Sequence, residues 1–280
     1  MQYINFNGNI YPEHETVLPV TNRAFRYGDG FFETMVMFNK KIPLLEYHWS
    51  RMEFTCEVIS ASLPGRFDIE KFYNMVLDLS SVNEAVVNAR VRLQFYRKGG
   101  GLYLPEEDGL GYVISMEKLE NTQFEPGAGL KLGIREDCYK PVSMVSDLKN
   151  SSALMYVLTS QFAKKEGWDE MFLTNQYEQL SEAIHSNVFL VIGDKLITPD
   201  IDSGCTNGVM RNYLLHTLGD SIVERPVEVK ELKDASEIIL SNAVRGVQWV
   251  KEYDGKKYGS TKAEGLAAML NRTLLGIEQS

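Results

Sequence analysis

Between the strand-like GYVISM (Gly111–Met116) and the strand-like LKLGIR (Leu130–Arg135) stands LENTQFEPGAG, residues 119–129. It carries neither a helical nor an alternating period, and Pro126-Gly127 interrupts both kinds of ladder. The stretches on either side each hold their own strand and helix patterns. A chain of 280 residues can supply two cores of ordinary size. The expected organisation is an N-terminal α/β domain over 1–120, a linker over 121–129 and a C-terminal α/β domain over 130–280.

The first part opens with YINFNGNIYP, a hairpin turning through Asn7-Gly8. FFETMVMF (31–38) is strand-like. Residues 46–60 have helical spacing, with Met52, Cys56 and Ile59 on one side. ARVRLQFY (89–96) is another strand, ending in KGGG. In the second part, 130–135, 170–174, 187–192 and 195–198 are expected strands, the last two joined by Gly193-Asp194. A turn, SGCTNG, opens a helix over 209–218, and 237–240 is a strand running into SNAVRG.

The net charge of −9 argues against nucleic acid or an anionic membrane as the main partner. A small anion is still admissible, because a few local cations and helix N-termini can hold one. The three cysteines are widely spaced and form no CxxC, so neither a metal site nor a disulfide framework is expected, and a reducing cytoplasm is the simplest compartment. No apolar run approaches about 18 residues and no leader pattern is visible, so no membrane association is expected. Two phosphate loops are excluded. RYGDGFFETM has Glu33 where a dinucleotide fingerprint needs a third glycine, and no GK[ST] occurs.

In VSDLKNSSALMY, Lys149 precedes Asn150, Ser151 and Ser152, all good helix caps. The spacing predicts a helix over 150–166, with Leu154, Val157, Leu158 and Phe162 as one stripe and Gly167 ending it. A lysine at the positive end of a helix has its ammonium disfavoured, which frees amine to attack a carbonyl. Spacing alone leaves open whether Lys149 does this or is an ordinary surface lysine.

Six motifs occur in order: RYGDGFFET, EYHWSRM, SDLKNSS, SEAIHSNVF, SGCTNGVMRN and ILSNA. The series resembles the fold-type IV (class IV) aminotransferase family of pyridoxal-phosphate enzymes, from about Asn22 to Val250. That family includes branched-chain aminotransferases, D-amino-acid aminotransferases and aminodeoxychorismate lyases. The resemblance implies an α/β (α+β) fold of two domains with pyridoxal 5'-phosphate in the cleft between them. It also implies a homodimer acting on small-molecule substrates, an amino acid and a 2-oxo acid.

By the resemblance, Lys149 holds the cofactor as an internal aldimine and then moves the substrate proton. Glu182 matches the carboxylate beside the pyridine nitrogen; its alternative is a charge on a strand edge. Arg51, in His48-Trp49-Ser50-Arg51, matches a phosphate-gripping arginine, with His48 as a structural partner. Val209 and Met210 match residues whose backbone N–H groups meet the phosphate. Asn242 and Ala243 stand where a further phosphate contact is expected, Ala243 in place of a frequent threonine. Phe32 matches an aromatic of the substrate pocket. Arg92 matches a cation that binds substrate carboxylate in some members, and Arg97 is a second candidate.

The expected reaction is transamination of a branched-chain or D-amino acid, with aminodeoxychorismate lysis as the alternative. Leu154 stands where branched-chain enzymes usually have tyrosine, and TNGVMRN and SNAV look more like the lyases. FFET is shared by many aminotransferases, and KGGGLYLP lacks the second basic residue expected of a lyase, with Leu102 at that place.

Overall fold

The computed structural model describes residues 1–15 and 18–277. The chain divides into two compact units. The first is Met1–Thr122 with Lys149–Ser152, and the second is Gln123–Leu148 with Ala153–Ser280. Residues 121–129 are thus shared between the units rather than standing apart, and Lys149 belongs with the N-terminal part of the chain.

The first unit is built on strands β1 (Tyr3–Phe6), β2 (Asn9–Pro12), β3 (Gly30–Met37), β4 (Ala89–Arg97) and β5 (Leu110–Lys118), with helices α1 (Arg23–Tyr27), α2 (Leu45–Val58) and α3 (Ile69–Val82). The strands form one antiparallel sheet in the order β2-β1-β5-β4-β3. The β1–β2 hairpin turns at Asn7 and Gly8, whose φ angles of 52° and 93° suit the twist of the paired strands. Phe31, Met35 and Met37 of β3 enter a core with Met52 and Cys56 of α2 and Phe72, Val76 and Leu79 of α3.

Sequence reading passed over α3, although its signals are plain. Asp68 accepts the amide of Lys71 as N-cap, and Phe72, Met75, Val76 and Leu79 repeat at helical spacing. Burying those side chains contributes roughly 1.5–3 kcal/mol each.

The second unit has strands β6 (Leu130–Tyr139), β7 (Glu170–Thr174), β8 (Leu180–Ala183), β9 (Asn187–Ile192), β10 (Lys195–Thr198), β11 (Ile222–Glu224), β12 (Glu237–Asn242), β13 (Gly246–Tyr253) and β14 (Lys256–Lys257). Its helices are α4 (Leu154–Glu166), α5 (Val209–Leu218) and α6 (Thr261–Leu270). The main path runs β11-β10-β9-β12-β13-β6-β7-β8, with β14 beside β13. Pairings β13–β6, β6–β7 and β10–β11 are parallel; the others are antiparallel. All residues of β7 and β8 are buried, as strands covered on both faces require.

The helix expected over 150–166 begins at Leu154 instead, and Gly167 does end it, at φ 71°. The reason lies in residues 149–152. The amide of Phe32 donates to the carbonyl of Lys149 at 3.1 Å, and the amide of Ser151 donates to that of Gly30 at 3.0 Å. These residues run antiparallel to the free edge of β3, with Asn150 opposite Phe31. The hydroxyl of Ser151 accepts from Gln94 Nε2 at 2.8 Å, and Asn150 Oδ1 accepts the amide of Ser152. Their polar groups serve the strand and a turn, not the helix. Lys149 is therefore not held at a helix N-terminus. The expected stripe is also not buried: Leu154, Val157 and Leu158 are 70%, 50% and 44% exposed, and α4 buries Thr159 and Ala163.

Candidate active site

In the first unit the candidates gather around β3. Alternation along this strand sends Phe31, Glu33, Met35 and Met37 into the interior, while Phe32 and Thr34 take the less buried face. On β4, Gln94 lies opposite Phe32 and Arg92 opposite Thr34, so all four share that face. The Arg92 guanidinium carbon is 3.8 Å from the centre of the Phe32 ring, and Lys149 Nζ is 4.5 Å from it. Burial, helped by Arg90, lowers the pKa of Arg92 from its ordinary value.

Gln94 ties this group together. Its carbonyl oxygen accepts from Arg92 Nη2 at 2.7 Å, while its amide nitrogen donates to Ser151 Oγ and to the carbonyls of Phe31 and Phe95. Arg97 does not join it. Its guanidinium is spent on Asp29 and on the carbonyls of Ile59 and Ser60, with its side chain 5% exposed. That is the bonding of a residue holding the end of β4 to the turn after α2.

On the other face of β3, Glu33 is 1% exposed. Arg51 Nε donates to Glu33 Oε1 at 2.8 Å and Arg51 Nη2 to Oε2 at 2.5 Å. His48 Nδ1 lies 2.6 Å from the same Oε2. Burial favours the neutral acid, but the Arg51 guanidinium and His48 outweigh it and hold Glu33 at about 2. Burial lowers His48 below the usual imidazole value against the pull of Glu33. The ring is then neutral at pH 7, with Nδ1–H donating to the carboxylate. Its Nε2 is buried without a hydrogen-bond partner among the described residues. Lys149 also bears on His48, disfavouring its protonation.

In the second unit the centre is Glu182, on edge strand β8 yet 3% exposed. Its Oε1 accepts from Lys140 Nζ at 2.9 Å and from Tyr156 Oη at 2.6 Å, and its Oε2 accepts the amide of Thr206 at 2.7 Å. Burial and the Glu182 charge raise the Tyr156 phenol, which keeps its proton to donate. A carboxylate so surrounded by donors is no exposed strand-edge charge.

Thr206 leads to the other candidates of this unit. Its carbonyl accepts from Asn187 Nδ2 at 2.8 Å, and a Cβ on Gly208 would come within 1.9 Å of Asn187 Oδ1. Gly208 is the N-cap of α5 and offers no side-chain cap, so the first amides of the helix, including those of Val209 and Met210, lack that partner. Both residues are buried. Ser241 lies opposite Asn187 in the sheet, and its Oγ is buried without a partner among the described residues. Asn242 organises the turn beyond it: Oδ1 accepts the amides of Val244 and Arg245, and Nδ2 donates to Ser186 Oγ. Ala243 sits half-buried within that turn.

Sequence reading missed Glu33, Gln94, Lys140, Tyr156 and Thr206 as functional groups. Glu33 had a signal, since a carboxylate on the apolar face of a strand needs a buried partner. For Lys140 and Tyr156 no spacing points to Glu182.

A profile of the family described as Amino-transferase class IV matches residues 30–253. The chain belongs to that family. An aminodeoxychorismate lyase of Bacillus subtilis (strain 168) is 25% identical over 279 residues, covering 95% of this chain and 92% of the relative. A D-alanine aminotransferase of Staphylococcus haemolyticus is 22% identical, covering 94% and 93%. The branched-chain aminotransferase of Thermoproteus uzoniensis, solved with norvaline, superposes with a TM-score of 0.86 at 19% identity, covering 98% and 95%. The fold is that of the class IV enzymes, and the chain is an enzyme of this family dependent on pyridoxal 5'-phosphate. Among the described residues no helix is long and apolar enough to cross a membrane, and no group of three or more His, Cys, Asp or Glu residues could hold a metal ion.

Proposed function

We propose that this protein transaminates an amino acid of branched-chain or D type, with Lys149 as the residue that carries the cofactor and moves the proton. The observation that carries this reading is the shared ring of Phe32, with Arg92 stacked at 3.8 Å and Lys149 Nζ at 4.5 Å. It sets a candidate anchor for a substrate carboxylate near a candidate acid–base amine, the two groups an α-amino acid needs.

The residues present fit pyridoxal phosphate. A helix N-terminus without a side-chain cap, an orphaned serine hydroxyl opposite Asn187 in the sheet, a buried arginine and a buried carboxylate match its phosphate and its ring nitrogen. When bound, the cofactor supplies an electron sink for charge that develops at the substrate α-carbon.

The chain's own residues do the rest. Lys149 Nζ would hold the cofactor covalently and, once a substrate amine has taken its place, would move a proton at the substrate α-carbon. Glu182 holds the ring nitrogen, its geometry fixed by Lys140, Tyr156 and the Thr206 amide. Arg51, the amides of Val209 and Met210, and the Asn242–Ala243 turn take the phosphate. Phe32 and Arg92 orient the substrate.

A second reading is supported by one position. Leu154, five residues past Lys149, is 70% exposed where the branched-chain enzymes usually carry a tyrosine, and the tyrosine that bonds Glu182 is Tyr156, two residues on. That reading is carbon–nitrogen lysis of aminodeoxychorismate with release of pyruvate. The two are separated by adding L- and D-amino acids singly to the loaded enzyme. A donor that bleaches the lysine-bound band and yields the aminated cofactor establishes transfer and names the substrate's hand. Failure of all donors, with pyruvate formed from aminodeoxychorismate, establishes lysis.

A further inference from the structure

We propose that Gln94 is the positioning residue of Arg92, fixing how its guanidinium lies on the Phe32 ring so that its other donors are set to receive a substrate carboxylate. This rests on the carboxylate role given to Arg92 above.

The alternation of β4 puts Arg90, Arg92 and Gln94 on its less buried face, and Gln94 lies directly opposite Phe32 of β3. Stacking holds the Arg92 guanidinium on the Phe32 ring, 3.8 Å from its centre. A stack by itself leaves the guanidinium free to turn in its own plane. The bond from Arg92 Nη2 to Gln94 Oε1, at 2.7 Å, stops that turn. It takes a single N–H of the guanidinium. Among the described residues Arg92 makes no other hydrogen bond and no ion pair.

Gln94 can fix a neighbour because its own amide cannot turn over. Nε2 donates to the carbonyls of Phe31 and Phe95 at 3.1 and 3.2 Å and to Ser151 Oγ at 2.8 Å. With the amide reversed, its oxygen would face those two carbonyl oxygens, so Oε1 is the atom that points at Arg92. Ser151 is held in turn, its amide donating to the Gly30 carbonyl at 3.0 Å. It stands two residues past Lys149, whose carbonyl accepts the amide of Phe32. One side chain therefore bonds both the candidate carboxylate anchor and the short segment that carries the candidate amine. Packing alone does not account for it. A methionine at this position would fill a similar volume and leave the guanidinium without a fixed bearing.

The test uses the full-length protein loaded with pyridoxal phosphate and titrated calorimetrically with isovalerate and, separately, with isovaleramide. The probes differ only in the carboxylate, so the ratio of their affinities isolates its share, and the parent should prefer the acid. In Gln94→Met the ratio is expected to fall about tenfold, the worth of one well-aimed charged hydrogen bond, with isovaleramide affinity little changed. Arg92→Met should lower the ratio further, and Gln94→Met/Arg92→Met should equal Arg92→Met, because Gln94 acts only through Arg92. A ratio unchanged in Gln94→Met but collapsed in Arg92→Met overturns the proposal and leaves Arg92 in its role. An additional fall in the double variant also overturns it. A parent that binds both probes alike, or an Arg92→Met variant that keeps the preference, removes Arg92 from its role and the proposal with it. Should Gln94→Met fail to fold, Gln94→Asn keeps the amide but withdraws it from Arg92 by one methylene; an undiminished ratio there overturns the proposal equally.

Discussion

The carbonyl oxygen of Lys149 accepts the amide of Phe32 at 3.1 Å, while the Lys149 amine lies 4.5 Å from the Phe32 ring. The backbone of the candidate catalytic residue is thus stitched to the strand whose aromatic ring its side chain faces. Lys149→Ala keeps that backbone bond and is expected to fold as the parent does. Turnover should drop by at least about a thousandfold. Borohydride reduction followed by mass spectrometry should find a cofactor adduct on the parent and none on the variant. An adduct surviving on the variant would place the covalent bond on another lysine.

Tyr156→Phe removes one of the three donors on Glu182 and leaves Lys140 and the Thr206 amide in place. The expected cost is about 1–3 kcal/mol of unfolding free energy. Glu182→Gln is the harsher change, because Lys140 remains buried without its counter-charge; a loss of roughly 3 kcal/mol or more is expected. Urea titrations of the two variants check the order.

Acid sensitivity should begin with His48. Its folded pKa lies below 6.5, so the unfolded chain binds the extra proton first and stability falls as pH drops below about 6.5. Glu33 adds a second phase. Its pKa drops from 4.5 to about 2 on folding, so its contribution is full above about 4.5 and is lost as pH falls towards 2. Stability measured against pH should therefore decline in both windows. His48→Gln should flatten the upper window and leave the lower one.

Gly208→Ala tests the end of α5. The backbone at φ −73° and ψ 133° admits any residue, but the new Cβ would sit 1.9 Å from Asn187 Oδ1. Asn187 must move, loosening its bond to the Thr206 carbonyl. About 1–3 kcal/mol of stability should be lost. Affinity for pyridoxal phosphate should fall more than affinity for pyridoxal, a difference that paired titrations would reveal.

Local chemistry in the sequence announced much of the fold. Asn7-Gly8 marks its hairpin and Gly167 its helix end, because both sites need a positive φ that other residues resist. The start of α4 was illegible. Asn150, Ser151 and Ser152 are cap residues by type, but the edge of β3 and Gln94 claim their polar groups, and that competition is tertiary. The candidate site divides the same way. Lys149, Glu182 and Arg51 stand in recognisable motifs. Lys140 and Tyr156 reach Glu182 across 42 and 26 residues of chain, a distance no periodicity spans.

Because 149–152 is assigned to the first unit while its flanks belong to the second, the chain passes between the units three times, after 122, 148 and 152. A recombinant exchange of halves near residue 122 would carry Lys149 with one parent and the strand edge that seats it with the other. Hybrids of that kind would inherit a lysine whose landing place had been shaped by a different β3. Productive shuffling within this fold should therefore keep 30–37 and 149–152 from the same ancestor, as a single heritable module despite the hundred residues between them.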